Sequence, residues 1–427
     1  MQNMKAKTFY LKSLGCKQNL LEGAIIENEL IKSGFIKVSK IQDADIYILN
    51  SCSVTSHSDS QTNYLLNKAK RLNPEIKRVL TGCCAQTHKI HKNFNYQNID
   101  LILGNSEKLE IEKYIKNLFD DENEIFVEDI MERKDFLNKF LTDPKTTRVS
   151  VKIQDGCNNR CSYCIIPYAR GNSRSNNIEN IIKQIDLIVK KDIKEIVLTG
   201  IHIGQWGQEF NKKLIDLLKE IEKTPIKRYR LGSLYVNELD DEIIEFLSKS
   251  SKFCPHFHLS LQSVCDKTLK NMNRKYNTDD IFRVVSKLHN SFKLPYLGCD
   301  IIAGFPNENE DDFLETYNNL EKLKMSQIHC FPYSKRENTP AYSMAQIQEK
   351  IKTQRVKKII DLSNKLHKDF LDKNKNTIQE ILIEKKSSKT GCYSAITRNY
   401  IKIHFKSDDN TLRHTLKTVN LSDYELE

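Results

Sequence analysis

The stretch VSVKIQDGCNNRCSYCIIPYARGNSRS, residues 149–175, decides how the rest of the chain is read. Its first six residues, 149–154, read as a β-strand, and Asp155-Gly156 ends it. Cys157, Cys161 and Cys164 follow on the strand-end loop, all within eight residues. Thiolates in such a row can hold three corners of an iron–sulfur cube. No fourth cysteine or histidine lies nearby, so one iron would be left open for an external ligand. Structural zinc asks for four closed ligands, usually as pairs such as Cys-x2-Cys, and this trio supplies three. Three unligated buried cysteines are the plainer alternative.

Downstream of this stretch, further strands are expected at 195–199, 228–234, 257–262, 297–302 and 326–331. Helical patterns at 178–191, 211–222 and 311–324 separate them. Six such units make an open or partial βα barrel, whose working residues sit at the carboxyl ends of its strands. Upstream, strand and helix also alternate. Lys7–Leu14, Asp45–Asn50, Arg78–Thr81 and Leu101–Leu103 read as strands. Leu20–Ser33 reads as a helix, and 58–72 as a polar helix ending before Asn73-Pro74. This alternation implies a parallel sheet covered by helices. Leu141–Arg148 has proline, polar residues and no periodicity, as a linker would. Residues 350–371 form a basic amphipathic pattern, and from about 377 short β-like runs follow. The fold expected is α/β in three parts: an open α/β domain at 1–140, a partial (βα)6 barrel at 146–375, and a small β-barrel at 377–427.

Composition narrows the class. Of 427 residues, 39% are hydrophobic and 29% charged, which supplies real cores and excludes wholesale disorder. Lys+Arg of 67 against Asp+Glu of 56 gives +11, a basic excess that fits a nucleic-acid partner without requiring one. No run approaches the ~18 apolar residues of a membrane span. Lysines at 5, 7, 12 and 17 leave no apolar core for a signal peptide, so a cytoplasmic, non-membrane protein is expected. Twelve cysteines are far too few for a disulfide scaffold, and in a reducing compartment spaced cysteines more often bind metal or do redox chemistry.

A second trio lies upstream. Cys16, Cys52 and Cys83 each sit just past the carboxyl end of a candidate parallel strand. Ligands gather there in open α/β sheets, so residues distant in sequence can converge on one site. Taken alone, they could equally be ordinary buried cysteines.

The Cys-x3-Cys-x2-Cys spacing, with Tyr163 before its last cysteine, resembles the radical S-adenosylmethionine (SAM) superfamily. KIQDGCNNRCSYCIIPYARGNSRS at 152–175 is similar to its methylthiotransferase branch, and GCKQN, NSCSVT and GCCAQ resemble that branch's N-terminal domain. The resemblance covers nearly the whole chain. It implies a [4Fe–4S] cluster on Cys157, Cys161 and Cys164, whose open iron binds SAM and whose electron cleaves it to a 5′-deoxyadenosyl radical. It implies a second [4Fe–4S] cluster on Cys16, Cys52 and Cys83, although Cys84 offers a rival to Cys83. Tyr163 would lie near the adenine of SAM, Gly200 beside its amino end and Gly304 near its nucleoside. Ser260 and Gln262 share a face with His258 in FHLSLQS and could bind SAM from the barrel interior, with an exposed face as the bland alternative. SLYVNE at 233–238 departs from the family's serine–proline–acidic pattern. Residues 377–427 resemble a TRAM domain, an OB-like RNA-binding barrel, in which Tyr393 and Tyr400 could stack on bases. Arg148, Lys152, Arg170 and Arg174 flank the first trio and read either as phosphate contacts or as solvated charges. Cys254, Cys265, Cys299, Cys330 and Cys392 match no ligand spacing and read as structural.

CNNRCSYCIIPYARGNSRS and FPYSKRENTPAY are most similar to the tRNA branch acting on N6-threonylcarbamoyladenosine at position 37. That likeness implies methylthiolation at C2, a tRNA anticodon stem-loop as partner, and an electron donor such as flavodoxin or ferredoxin. Alternatives remain at this stage: isopentenyladenosine or a ribosomal-protein aspartate as substrate, a radical enzyme using its second cluster only for electron transfer, or a zinc-containing RNA-binding protein.

Overall fold

The computed structural model of the chain describes residues 7–90, 94, 96–97, 99–119, 124–141, 144 and 146–427. It divides into two compact units. One gathers Met1–Asp143, Gln154–Asn176 and Ser334–Ser343; the other gathers Pro144–Ile153, Asn177–Tyr333 and Met344–Glu427.

The first unit is built on a parallel sheet in the order Ile36–Lys37, Thr8–Ser13, Ile46–Ser51, Lys77–Gly82, Leu101–Leu103, Glu124–Phe126. Ile46–Ser51 is buried at every residue. Helices cover both faces of such a strand, so its sequence is a continuous apolar run instead of an alternation. On one face the helix Lys17–Lys32 presents Leu21, Ile25, Ile26 and Leu30 to Phe9, Ile46 and Ile48. On the other, the helix Ser56–Leu72 brings Leu66 and Ala69 against Tyr47, Leu49 and Leu80. This helix starts at Ser56 because Thr55 caps it, its hydroxyl accepting the Ser58 N–H at 3.3 Å. The chain leaves Thr8–Ser13 for the strand on one side and then crosses to Ile46–Ser51 on the other. This reversal opens a crevice at the carboxyl ends of those two strands.

The second unit carries six parallel strands in sequence order. Arg148–Lys152, Glu195–Thr199 and Arg228–Leu231 form one sheet; His256–Gln262, Tyr296–Ala303 and Gln327–Pro332 form another. Bridges Tyr229–Phe253 and Leu234–Leu259 join them into an arc. All six expected strands are present, and the partial barrel is confirmed. The third ends at Leu231, three residues early: after Gly232 only the single bridge at Leu234 continues the pairing. Helices Ile178–Val189, Leu214–Lys223 and Glu310–Leu323 lie where their periodicity put them.

The same unit ends in a four-stranded antiparallel sheet in the order Lys402–Lys406, Cys392–Thr397, Ile378–Lys386, Leu416–Asn420. Its core holds Ile381, Ile383, Tyr393, Ile401 and Ile403. Tyr393 is buried, and its hydroxyl donates to the Asp409 carbonyl at 3.0 Å. It therefore has no free face for a base, and the expectation of stacking is corrected to a packing role. Tyr400 is likewise packed, its ring 4.2 Å from that of His256. Among the described residues, no helix is long and apolar enough to cross a membrane.

Candidate active site

Strand register sets the second cysteine trio at one level. Ser13 pairs opposite Asn50, and Asn50 opposite Thr81. Cys16, Cys52 and Cys83 follow that row within three residues, around the crevice where the strand order reverses. Gly15 makes their approach possible. Its φ is +89°, and a Cβ there would lie 2.7 Å from the Cys52 Cβ. Gly82 has the same φ, and its Cβ would meet the Ser51 carbonyl at 2.4 Å.

The three thiols act on one another. Burial, and then Cys83, push the Cys52 thiol up to about 11. Cys16 opens onto solvent, with protein enclosing it at longer range. Its pKa is raised by desolvation, lowered by Arg170 and raised again by Cys83. Cys84 faces elsewhere: its Sγ is 3.9 Å from the Tyr96 hydroxyl, which donates to the Cys84 carbonyl at 3.1 Å. Exchanging Cys83 for serine should therefore remove the iron of this trio, while Cys84→Ser keeps it. Iron analysis of the two purified variants checks this, and the opposite pattern would make Cys84 the ligand.

The first trio lies in the same compact unit, on the loop between the short antiparallel strands Gln154–Asp155 and Arg174–Ser175. The loop is shaped by its own hydrogen bonds. Cys157 N donates to Gly171 O at 3.0 Å, and Cys164 N to Cys161 O at 3.0 Å. Arg160 donates to the Cys157 carbonyl at 2.8 Å and to Asn172 Oδ1 at 2.7 Å. Cys157 and Cys161 are buried; Cys164 and the neighbouring Tyr163 are half-buried. Asn105 links the second trio to the helix Ile166–Arg170 that follows the first, its amide donating to the Ala169 carbonyl at 2.7 Å and lying 3.9 Å from the Cys83 sulfur.

A buried ion network backs both loops. Glu22 accepts from Arg170 Nη1 at 2.7 Å and pairs with Lys108 Nζ at 2.5 Å. Asn19 Oδ1 accepts from both cations, at 3.3 and 3.2 Å. Asp155 lies 3.6 Å from Arg170 and 3.8 Å from Arg174. Burial pulls Lys108 below its ordinary value, whereas at Arg170 burial is outweighed by the negative groups around it, Glu22 first among them, and the guanidinium stays charged. Arg170 is thus the positive charge beside the second trio, where it opposes the effect of burial on the Cys16 thiol. Neither a phosphate contact nor a solvated charge describes Arg170 and Arg174, because carboxylates hold both inside the protein. Arg148, too, is paired, with Glu384 at 2.8 Å. Sequence reasoning missed Lys108, Glu22 and Asn105. Only Asn19 carried a signal, as the last residue of GCKQN.

In the second unit, Gly200 follows Glu195–Thr199, and the loop after it is tied down by His202 pairing with Glu238. Glu238 also accepts the Tyr235 N–H at 2.9 Å, so the acidic residue of the divergent SLYVNE segment is used internally. His258, Ser260 and Gln262 are half-buried in alternation with buried Leu259 and Leu261, which places them on one face. Gln262 is in the left-handed region at φ +67°, a strained backbone of the kind that clusters at functional sites. At Gly304, φ is +71° and the space a side chain would need is filled by Lys352 Cγ, 2.3 Å from the ideal Cβ. Its missing side chain therefore admits the helix Glu349–Asn374.

Among the described residues, no three His, Cys, Asp or Glu side chains are arranged around a single metal ion. A cluster does not ask for that, because it offers a separate iron to each thiolate. Three thiols at one level, a glycine that admits their approach and a cationic backing fit an anionic iron–sulfur group.

Residues 151–320 match the Radical SAM superfamily, and residues 8–104 match a family described as Uncharacterized protein family UPF0004. A solved structure of TsrM from Kitasatospora setae, a radical SAM methyltransferase, superposes with a TM-score of 0.56 at 12% identity, over 79% of this chain and 77% of that one. That likeness concerns the fold. A Bacillus subtilis protein named threonylcarbamoyladenosine tRNA methylthiotransferase MtaB is 35% identical over 423 residues, 96% of this chain and 93% of the relative. A Carboxydothermus hydrogenoformans protein named tRNA-2-methylthio-N(6)-dimethylallyladenosine synthase is 31% identical over 90% of this chain and 89% of its own. Fold and motif together define a radical SAM enzyme. More narrowly, the chain belongs to the radical SAM methylthiotransferase family, which uses SAM and [4Fe–4S] clusters.

Proposed function

We propose that this chain replaces the C2 hydrogen of N6-threonylcarbamoyladenosine, at position 37 of tRNA, with a methylthio group. What carries the reading is the second cysteine trio, gathered at the sheet's carboxyl edge in a chain similar along its length to the enzymes named for that product. Cys157, Cys161 and Cys164 would hold one [4Fe–4S] cluster and Cys16, Cys52 and Cys83 the other; bound there, they supply reductive SAM cleavage and a site for sulfur. The chain's own residues position and shield this chemistry. Gln154 and Arg160 hold the first loop in shape, while Arg170 places positive charge by the second trio. In the second unit, SAM is met from Gly200, Ser260 and Gln262. The partner is the anticodon stem-loop, whose bases are already partly unstacked and so cheaper to extrude. The setting is the cytoplasm, and a carrier such as flavodoxin or ferredoxin brings the electron.

Mass spectrometry of tRNA nucleosides from cells with and without the gene tests the proposal. Loss of only the methylthio form of threonylcarbamoyladenosine is expected. Loss of the isopentenyl counterpart instead would move the substrate, and an unchanged nucleoside profile would overturn the tRNA reading.

A further inference from the structure

At the carboxyl end of the fourth barrel strand, His256–Gln262, the backbone is irregular. Leu259 pairs with Cys299 and Gln262 with Ile301, so three steps on this strand match two on the next. The extra residue makes a β-bulge, a device that re-aims side chains beside active sites. On the strand's other side its neighbour has already ended at Leu231. Beyond it, the Leu234–Leu259 bridge and the bond from Ser260 N to the Leu234 carbonyl, 3.0 Å, carry the pairing only as far as the bulge. Gln262 follows in the left-handed region at φ +67°, a conformation that persists in a side-chain-bearing residue only where its surroundings impose it.

Side chains from a later loop meet the carbonyls of this bulge. The Tyr276 hydroxyl lies 2.6 Å from the Ser260 carbonyl oxygen and 3.0 Å from that of Leu261. Arg274 donates to the Ser260 carbonyl through Nη2, and to the Tyr276 hydroxyl through Nε at 2.8 Å and Nη2 at 2.6 Å. Hydrogen bonds from a cation are stronger than neutral ones and polarise the next bond in the chain. Both side chains are buried. Arg274 is held in turn by the divergent segment 233–238: its guanidinium carbon lies 3.8 Å from the centre of the Tyr235 ring. His202, paired with Glu238, stacks on the same ring at 4.2 Å. Tyr235 is therefore the platform from which Arg274 reaches the bulge, and it ties together the loops that follow the second, third and fourth strands.

We propose that Arg274 and Tyr276 are positioning residues for SAM: they hold the bulge at Ser260–Gln262 in the one shape that presents both side chains to it, and Tyr235 holds Arg274. The inference rests on the proposed function, which sets SAM against Ser260 and Gln262, and deepens it by naming what fixes their geometry. With the Tyr276 bonds gone, Gln262 relaxes out of the left-handed region. Only a fraction of molecules then presents the competent face, and the apparent affinity for SAM falls by that fraction. The loss arises without removal of any contact to SAM.

The test uses reconstituted holoenzyme and three readouts: SAM affinity by equilibrium dialysis, amide hydrogen exchange over residues 257–265, and urea unfolding. Tyr276→Phe keeps the ring and removes the hydroxyl. It should weaken SAM binding about tenfold, the order set by releasing one strained residue, and speed exchange at the bulge. Tyr229→Phe is the control. Tyr229 is also buried, and its hydroxyl donates to Glu222 on the helix Leu214–Lys223 at 3.0 Å. Its loss should lower the urea midpoint and leave SAM affinity unchanged. In Gln262→Gly, the glycine takes φ +67° without strain, so adding Tyr276→Phe should cost little further SAM affinity. Equal losses of SAM affinity in Tyr276→Phe and Tyr229→Phe would overturn the inference, because general loosening of the barrel would explain both. So would a full additional loss when Tyr276→Phe is added to Gln262→Gly. Tyr276→Phe with wild-type SAM affinity, beside a weakened Ser260→Ala, would overturn it too and leave the SAM reading of this face standing. If Ser260→Ala and Gln262→Ala both bind SAM as wild type does, that reading itself fails, a result separate from the others.

Discussion

Cys157→Ala should abolish SAM cleavage, while Cys16→Ala should keep cleavage and lose methylthio transfer. The two trios share one compact unit and a buried ion network, but the loop that carries the first is shaped by its own hydrogen bonds. The Cys157 loop takes its shape from Gln154, Arg160 and the Cys157–Gly171 backbone bond, none of which involves Cys16. Removing the Cys16 thiol therefore leaves the first loop intact. Removing Cys157 takes one of three thiolates from a cluster that has no spare ligand in its loop. The pair is read by quantifying 5′-deoxyadenosine and modified RNA in the same reaction. Normal methylthiolation by Cys16→Ala would sink the assignment of the second trio.

Glu195→Ala should be the most destabilising single change in the barrel. Arg228 and Arg230 are fully buried, and Glu195 is the carboxylate between them: Arg228 donates to it at 2.7 Å and Arg230 at 2.8 Å. Breaking a buried pair from one side leaves unpaired charge in a low-dielectric interior, at a cost of about 3–5 kcal/mol. The damage would spread, because Arg230 also donates to the Thr397 and Arg398 carbonyls, each at 2.7 Å, and so anchors the C-terminal sheet. Urea unfolding of the variant against wild type measures the loss, and an unchanged midpoint would contradict it. For the same reason, deleting residues 377–427 would strip acceptors from buried arginines, so that truncation tests folding together with RNA binding.

The same group sets an acid limit. Burial pushes the Glu195 carboxyl up, but Arg230, Arg228 and Arg148 outweigh it and hold it at about 2, against an ordinary 4.5. A folded-state value below the unfolded one means the stabilisation is fully present above pH 4.5 and is lost as pH falls through 2. The amount at stake is about 3 kcal/mol. Urea midpoints should fall over that window in wild type, with a smaller slope in Glu195→Gln. Equal slopes would mean that other carboxylates set the acid limit.

The barrel was legible because each strand is a short apolar run followed by a helix with caps and period. Ile178–Val189, for example, is announced by Asn177, whose side chain accepts the Asn180 N–H at 2.8 Å. The cysteines were legible for a related reason: each follows a strand end, where an open sheet collects its ligands. Other features had no local signal. Ile36–Lys37 and Gln154–Asp155 are two-residue strands, too short for any periodicity. Cys392–Thr397 mixes polar and apolar residues, and its pairing on both sides makes it a strand. Arg170 looks like a surface charge until Glu22, 148 residues away, closes over it. The segment Ser334–Ser343 packs into the N-terminal unit through Arg336 on Asp59 and Val54, and contacts across such separations leave no trace in a local pattern.

The most direct check of the account is an iron and sulfide count on anaerobically purified, reconstituted protein. It compares wild type with variants in which either whole trio is alanine. Two [4Fe–4S] clusters predict about eight irons per chain in wild type and about four in each trio variant. An iron content that either trio can lose without change, or zinc in place of iron, would contradict the two-cluster account.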